Sequence, residues 1–151
     1  MNGFLKKSMM STIIVATGLL SGFSSAYAAT YRLTFDKVIA YDDGDYKPDG
    51  AGEITFDFSI NSERVFHEKM SLDDRGNDTY NFNLVKDITV PDGQFVTVTA
   101  RGSEYDKYSR NEMCDGSVVI SPTNTGAKVL DCGKSNGELG LFLEFNATKL
   151  D

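Results

Sequence analysis

The sequence predicts an all-β protein, an antiparallel β-sandwich of eight or nine strands. Three observations carry this. Apolar and polar residues alternate with period two along most of the chain. Clusters of Pro, Asp, Asn, Ser and Gly punctuate the alternating runs. No segment places apolar residues at i, i+3, i+4 and i+7 for long enough to read as a helix.

Element by element, Tyr31, Leu33 and Phe35 open the first strand. The apolar phase then moves to Val38 and Ala40, which predicts a β-bulge near Lys37. Ile54, Phe56, Phe58 and Ile60 form a second strand, and Phe66, Met70 and Leu72 a third. Tyr80, Phe82 and Leu84 mark a fourth, and Ile88 and Val90 lead into the turn Pro91-Asp92-Gly93. Val96, Val98 and Ala100 leave that turn. Val118 and Ile120 enter a second turn cluster, Ser121 to Gly126, and Ala127 and Val129 leave it. Leu139, Leu141, Leu143, Phe145 and Ala147 make the last and most regular strand.

The sandwich is expected to start only after a leader. Lys6 and Lys7 precede an apolar run from Met9 to Phe23, and Ala26-Tyr27-Ala28 places small residues where a signal peptidase cuts. Residues 1–28 therefore read as a cleaved secretory signal peptide, and 29–151 as a single domain that is soluble after export to a periplasm or the cell exterior. The apolar run falls short of the about 20 residues of a transmembrane helix, so no transmembrane segment is expected. The leader carries Lys6 and Lys7 and no acid, so removing it moves the formal net charge from −7 to −9. That charge repels nucleic acid and favours a cation or a basic protein surface.

Cys114 and Cys132 are the two cysteines of the chain. In an oxidising compartment an even count suggests a disulfide. A hairpin centred on Thr123 would set Cys114 directly opposite Cys132. Closing that loop of about 19 residues would contribute roughly 3 kcal/mol.

Catalytic residue types are sparse. His67 is the one histidine, there is no Trp, and no nucleophile elbow, zinc-protease helix or phosphate loop is present. The expectation is a protein that is not an enzyme. The acids, by contrast, are concentrated in three stretches. Asp42, Asp43, Asp45 and Asp49 follow the first strand; Asp73, Asp74 and Asp78 precede the fourth; Glu104, Asp106, Glu112 and Asp115 lie between Ala100 and Ser117. Hard cations take several carboxylate oxygens from loops. The candidate calcium ligands are thus Asp42, Asp43, Asp45, Asp49, Glu104, Asp106 and Asp115, with no EF-hand spacing among them. Tyr41, Tyr46, Tyr105 and Tyr108 share two of these stretches, and tyrosines in loops supply rigid contact area for a partner.

The run Val38-Ile39-Ala40-Tyr41-Asp42-Asp43-Gly44-Asp45, the strand Glu53 to Ile60, and the strand Phe95 to Ala100 followed by Glu104-Tyr105-Asp106 and Asp115 together resemble the C2-like β-sandwich. The resemblance covers roughly Tyr31 to Ser117. It implies an eight-stranded sandwich with both acidic loops at one edge, binding calcium. The chain departs from that pattern in its cysteine pair, in the long gap from Lys107 to Cys114 and in lacking an Asp-x-Asp in the second acidic loop.

These readings converge on an exported, non-enzymatic binding module whose acidic, Tyr-rich loops contact a protein partner, with calcium as the candidate cofactor. Two alternatives follow from size, charge and compartment. One is a periplasmic inhibitor or immunity protein against a basic, cell-wall-active enzyme or toxin. The other is a pilus or adhesin subunit that offers its regular last strand to a neighbour.

Overall fold

The computed structural model describes residues 28–42, 52–72, 78–104, 112–136 and 139–150. Every element among them is a strand: β1 (Ala28–Asp42), β2 (Gly52–Ile60), β3 (Glu63–Leu72), β4 (Thr79–Pro91), β5 (Val96–Glu104), β6 (Glu112–Ile120), β7 (Gly126–Asn136) and β8 (Gly140–Lys149). All pairings are antiparallel, in the order β3-β2-β5-β6-β7-β8-β1-β4. The sheet folds over between β6 and β7, giving a β3-β2-β5-β6 layer and a β7-β8-β1-β4 layer. The architecture is the antiparallel sandwich the alternation predicts, nearly closed on itself.

The alternating apolar residues face inward. Tyr31, Leu33 and Phe35 of β1, Ile54, Phe56 and Phe58 of β2, Val96 and Val98 of β5, and Leu141, Leu143 and Phe145 of β8 are buried. Each such large side chain contributes about 1.5–3 kcal/mol by leaving water. The phase change in β1 is a true bulge, because its register against both β4 and β8 shifts between Phe35 and Lys37. Without it Val38 and Ala40 would point to solvent.

Tight turns set one end. Asn61 and Ser62 both take positive φ (48° and 70°), as a two-residue hairpin between β2 and β3 requires. Asn61 is held twice, since its N–H donates to the Thr97 carbonyl and its Oδ1 accepts from the Thr97 N–H, both at 2.9 Å. Gly93, with φ 81°, follows Asp92, and the Gln94 N–H closes that turn on the Pro91 carbonyl at 3.0 Å.

The runs around Phe82 and Ile88 belong to one strand, β4, so the strands number eight, within the expected eight or nine. Two expectations from the sequence are corrected. Glu104 ends β5 and Asp115 lies within β6, so neither is a loop residue. The β6–β7 ladder pairs Cys114 with Lys134 and Asp115 with Gly133, two residues away from the expected Cys114–Cys132 pair. The reason is that the hairpin's arms belong to different layers. β6 takes its register from β5, from Val96↔Ile120 to Glu104↔Glu112, and β7 takes its own from β8, from Gly126↔Ala147 to Cys132↔Leu141. The two cysteines are both buried and carry free thiols in this structure. The Cys132 thiol is pushed up, first by its hydrogen bond with Cys114 and then by burial. It also points at the Ala100 carbonyl, 3.7 Å away. The regular last strand, β8, is paired on one side with β7 and on the other with β1, so both its backbone edges are used within the chain.

Candidate functional site

The strand ends that border the acid-rich segments all lie at one end of the sandwich. Asp42, the last residue of β1, is opposite Gly140, the first of β8. Gly52 at the start of β2 is opposite Leu72 at the end of β3. Glu104 at the end of β5 pairs with Ile54 on one side and Glu112 on the other. Asp78 reaches the same end, where its carbonyl accepts the Ala40 N–H at 3.1 Å. The turns at Asn61-Ser62, Pro91-Gly93 and Ser121-Thr125 form the opposite end. An antiparallel ladder sends alternate strand ends to opposite sides, and here the ends that border every acid-rich segment fall on the same side.

Asp43, Asp45, Asp49, Asp106, Tyr46, Tyr105 and Tyr108 lie outside the described residues, as do Asp73 and Asp74 and most of the expected leader. The others are placed individually. Asp42 forms an ion pair with Lys134 of β7. Glu104 is buried, and Glu112 stands directly across the ladder from it. Asp115 points outward from β6, in register with Arg101 of β5 and Gly133 of β7. Among the described residues no group of three His, Cys, Asp or Glu side chains converges in metal-binding geometry.

Tyr41 lies back against the β7-β8-β1 surface. Its ring packs on Phe142 with centroids 4.4 Å apart, and its hydroxyl donates to Asp131 at 3.0 Å. The ring crosses the backbone of Gly140, where a Cβ would stand 2.4 Å from it, so only glycine fits beneath it. Burial, followed by the hydrogen bond to Asp131, pushes the Tyr41 phenol up to about 12. Asp131 and Lys134 are not singled out by the sequence. Their one signal is placement at outward positions of β7, because the partners they meet are 90 and 92 positions away in the chain.

No family model matches the chain, and no curated protein matches its sequence. Solved structures that resemble it distantly include C2 domains. A C2 domain of plant Extended Synaptotagmin 1 is 12% identical, with a TM-score of 0.45 over 82% of this chain and 96% of that one. A C2 domain-containing protein from a putative elicitor-responsive gene is 10% identical, with a TM-score of 0.44 over 87% and 96% of the two chains. A chain of Extended-Synaptotagmin 2 that holds two C2 domains is 15% identical, with a TM-score of 0.43 over 94% of this chain and 48% of that one. The chain thus has a weak C2-like resemblance, while its own strand pairing establishes the sandwich.

Proposed function

We propose that this chain is an exported, non-enzymatic binding module that contacts a protein partner through the acid-rich end of its sandwich, with calcium as the cation bound there. The convergence of the strand ends bordering 43–51, 73–77 and 105–111 is the observation that carries the reading. Acids far apart in sequence would then meet at one end, where loop carboxylates can share a hard cation. The formal charge of −7, or −9 without the leader, steers a basic partner toward that end. Among the described residues no helix is long and apolar enough to cross a membrane.

Cleavage after Ala28 would leave β1 intact from Ala29, whose buried side chain belongs to the core. Export also bears on the cysteines. In an oxidising compartment the adjacent thiols would pass two electrons and two protons to a disulfide-bearing oxidant and staple the fold between β6 and β7. Alkylation and mass measurement on protein from its host compartment test this, and freely alkylated Cys114 and Cys132 would count against export.

Calcium titration by calorimetry, together with the melting temperature in calcium and in chelator, tests the cation. Saturable heat that disappears on combining Asp43→Asn, Asp45→Asn and Asp106→Asn is the expected result. No heat removes calcium from the reading, and an unchanged signal in the triple variant moves the site elsewhere. Capture from the host's exported fraction tests the partner: a basic protein whose binding weakens in the triple variant supports the module, and capture unaffected by it rejects the loop end as the contact.

A further inference from the structure

Apart from the acid-rich end, the outer face of the β3-β2-β5 layer carries a depression of about 510 Å³, lined by Asp57, Ser59, Ser62, Arg64, Thr99 and Arg101. That volume falls in the range of about 300–1,000 Å³ common for small-ligand sites. Its shape follows from the register. Ser59 of β2 is flanked by Arg64 of β3 and Thr99 of β5, and Asp57 is flanked by His67 and Arg101. Short hydroxyl side chains therefore form the floor, and two long guanidinium side chains rise from the strands on either side. A register shift between Phe58 and Ser59 is what brings Arg64 opposite Ser59. Two strand spacings separate the arginine-bearing strands, about 10 Å, so both guanidinium groups can close on one ligand.

Several cations elsewhere on the surface are held by acids. Arg32 holds Asp87 with both prongs of its fork at 2.8 Å. Lys37 is paired with Glu144, Lys69 with Glu53 and Lys134 with Asp42. Among the described residues, Arg64 and Arg101 have no hydrogen-bond or ion-pair partner, on a protein whose formal charge is −7. A guanidinium fork is shaped for two oxygens of a carboxylate or similar oxyanion. Asp57 narrows the choice further. It repels a bare anion, but it can accept a hydrogen bond from a ligand hydroxyl, and Ser59, Ser62 and Thr99 can both donate and accept.

We propose that this depression is a binding site for an acidic saccharide, with Arg64 and Arg101 gripping the carboxylate-bearing units and Asp57, Ser59, Ser62 and Thr99 reading the sugar hydroxyls. The site is separate from the acid-rich end and stands whether or not that end binds calcium. The test titrates the full chain by calorimetry with oligogalacturonate, a neutral oligosaccharide of the same length, inorganic sulfate and anionic phospholipid vesicles. Oligogalacturonate is expected to bind with an affinity that falls as salt rises. Arg64→Gln combined with Arg101→Gln should weaken it by about tenfold or more with the melting temperature unchanged. Asp57→Asn should weaken the saccharide and leave any sulfate binding equal or stronger. No heat from oligogalacturonate overturns the proposal, as does full affinity in the double arginine variant. Equal affinity for the neutral sugar, for sulfate or for vesicles overturns it too, and so does indifference to Asp57→Asn.

Discussion

The two places where the layers meet are built differently. At the β6–β7 fold the layers are joined by backbone, with Met113, Cys114 and Asp115 paired to Asn136, Lys134 and Gly133. At the other side β3 and β4 are sheet edges with no ladder between them among the described residues. Rings close that side. Phe66 of β3 meets Phe82 of β4 edge-on at 4.8 Å and Tyr80 at 5.8 Å, and Phe58 stacks on both Phe66 (5.5 Å) and Phe35 (4.3 Å). Two tyrosine–carboxylate hydrogen bonds can be set beside this, Tyr41 to Asp131 at 3.0 Å across the β7-β8-β1 surface and Tyr80 to Glu68 at 2.8 Å at the ring side. Both phenols are raised. For Tyr41 the first cause is burial, and for Tyr80 it is the hydrogen bond to Glu68. The same bond therefore sits on a half-buried brace across the β7-β8-β1 layer, where burial is the first cause of the shift, and on a latch at the ring seam, where the bond itself is. Geometry alone does not rank such contacts; the surrounding solvent does.

The ring seam is broken most severely by Phe58→Ala. Phe58 is fully buried and touches the rings of both layers, so its loss should cost about 4 kcal/mol in urea unfolding. Phe66→Ala, only half-buried, should cost less; equal losses would show that the seam residue carries as much as the core ring. The backbone seam is challenged by Gly116→Ala, because a Cβ there would lie 2.1 Å from the Asp131 carbonyl oxygen. Backbone cannot yield as a flexible side chain does, and about 2–3 kcal/mol should be lost. A variant with unchanged midpoint would mean that β6 and β7 are not held that close. Tyr31→Phe should work in the opposite direction. The Tyr31 hydroxyl is buried with no hydrogen-bond partner among the described residues, so removing it should raise stability by about 1 kcal/mol. A destabilised variant would reveal an acceptor for that hydroxyl.

The smallest effect is one of pH. The folded state holds the Tyr41 proton more tightly than the unfolded chain, whose phenol titrates near pH 10. Its stabilisation is therefore complete below about pH 10 and is lost as pH rises through about 12. Unfolding midpoints measured across this alkaline window should fall in the parent and fall less steeply in Tyr41→Phe. Tyr80→Phe should change the slope less, since its phenol is raised first by the hydrogen bond to Glu68 rather than by burial. Equal slopes for the two variants would remove the distinction between brace and latch.

Much of the sandwich is legible in the chain because strand burial has a period of two, and Ile54-Phe56-Phe58-Ile60 has no other economical reading. The β1 bulge is legible for the same reason, as a one-residue slip of phase from Phe35 to Val38. The site residues are harder to read. Asp42 and Tyr41 look like loop-tip groups until the fold brings Lys134 and Asp131 to them. Arg64 and Arg101 attract no notice in isolation, being single cations on separate polar stretches.

Local patterning by itself thus determined the strands, their inward faces and their turns, since each depends on neighbours within a few residues. Only the tertiary structure decided the register of β6 on β7, the separation of Cys114 from the position opposite Cys132, and the meeting of Arg64 with Arg101 across β2. The physical reason is that a hairpin's turn governs register only while both arms stay in one layer. Once β6 follows β5 and β7 follows β8, packing between the layers overrides the symmetry of the turn.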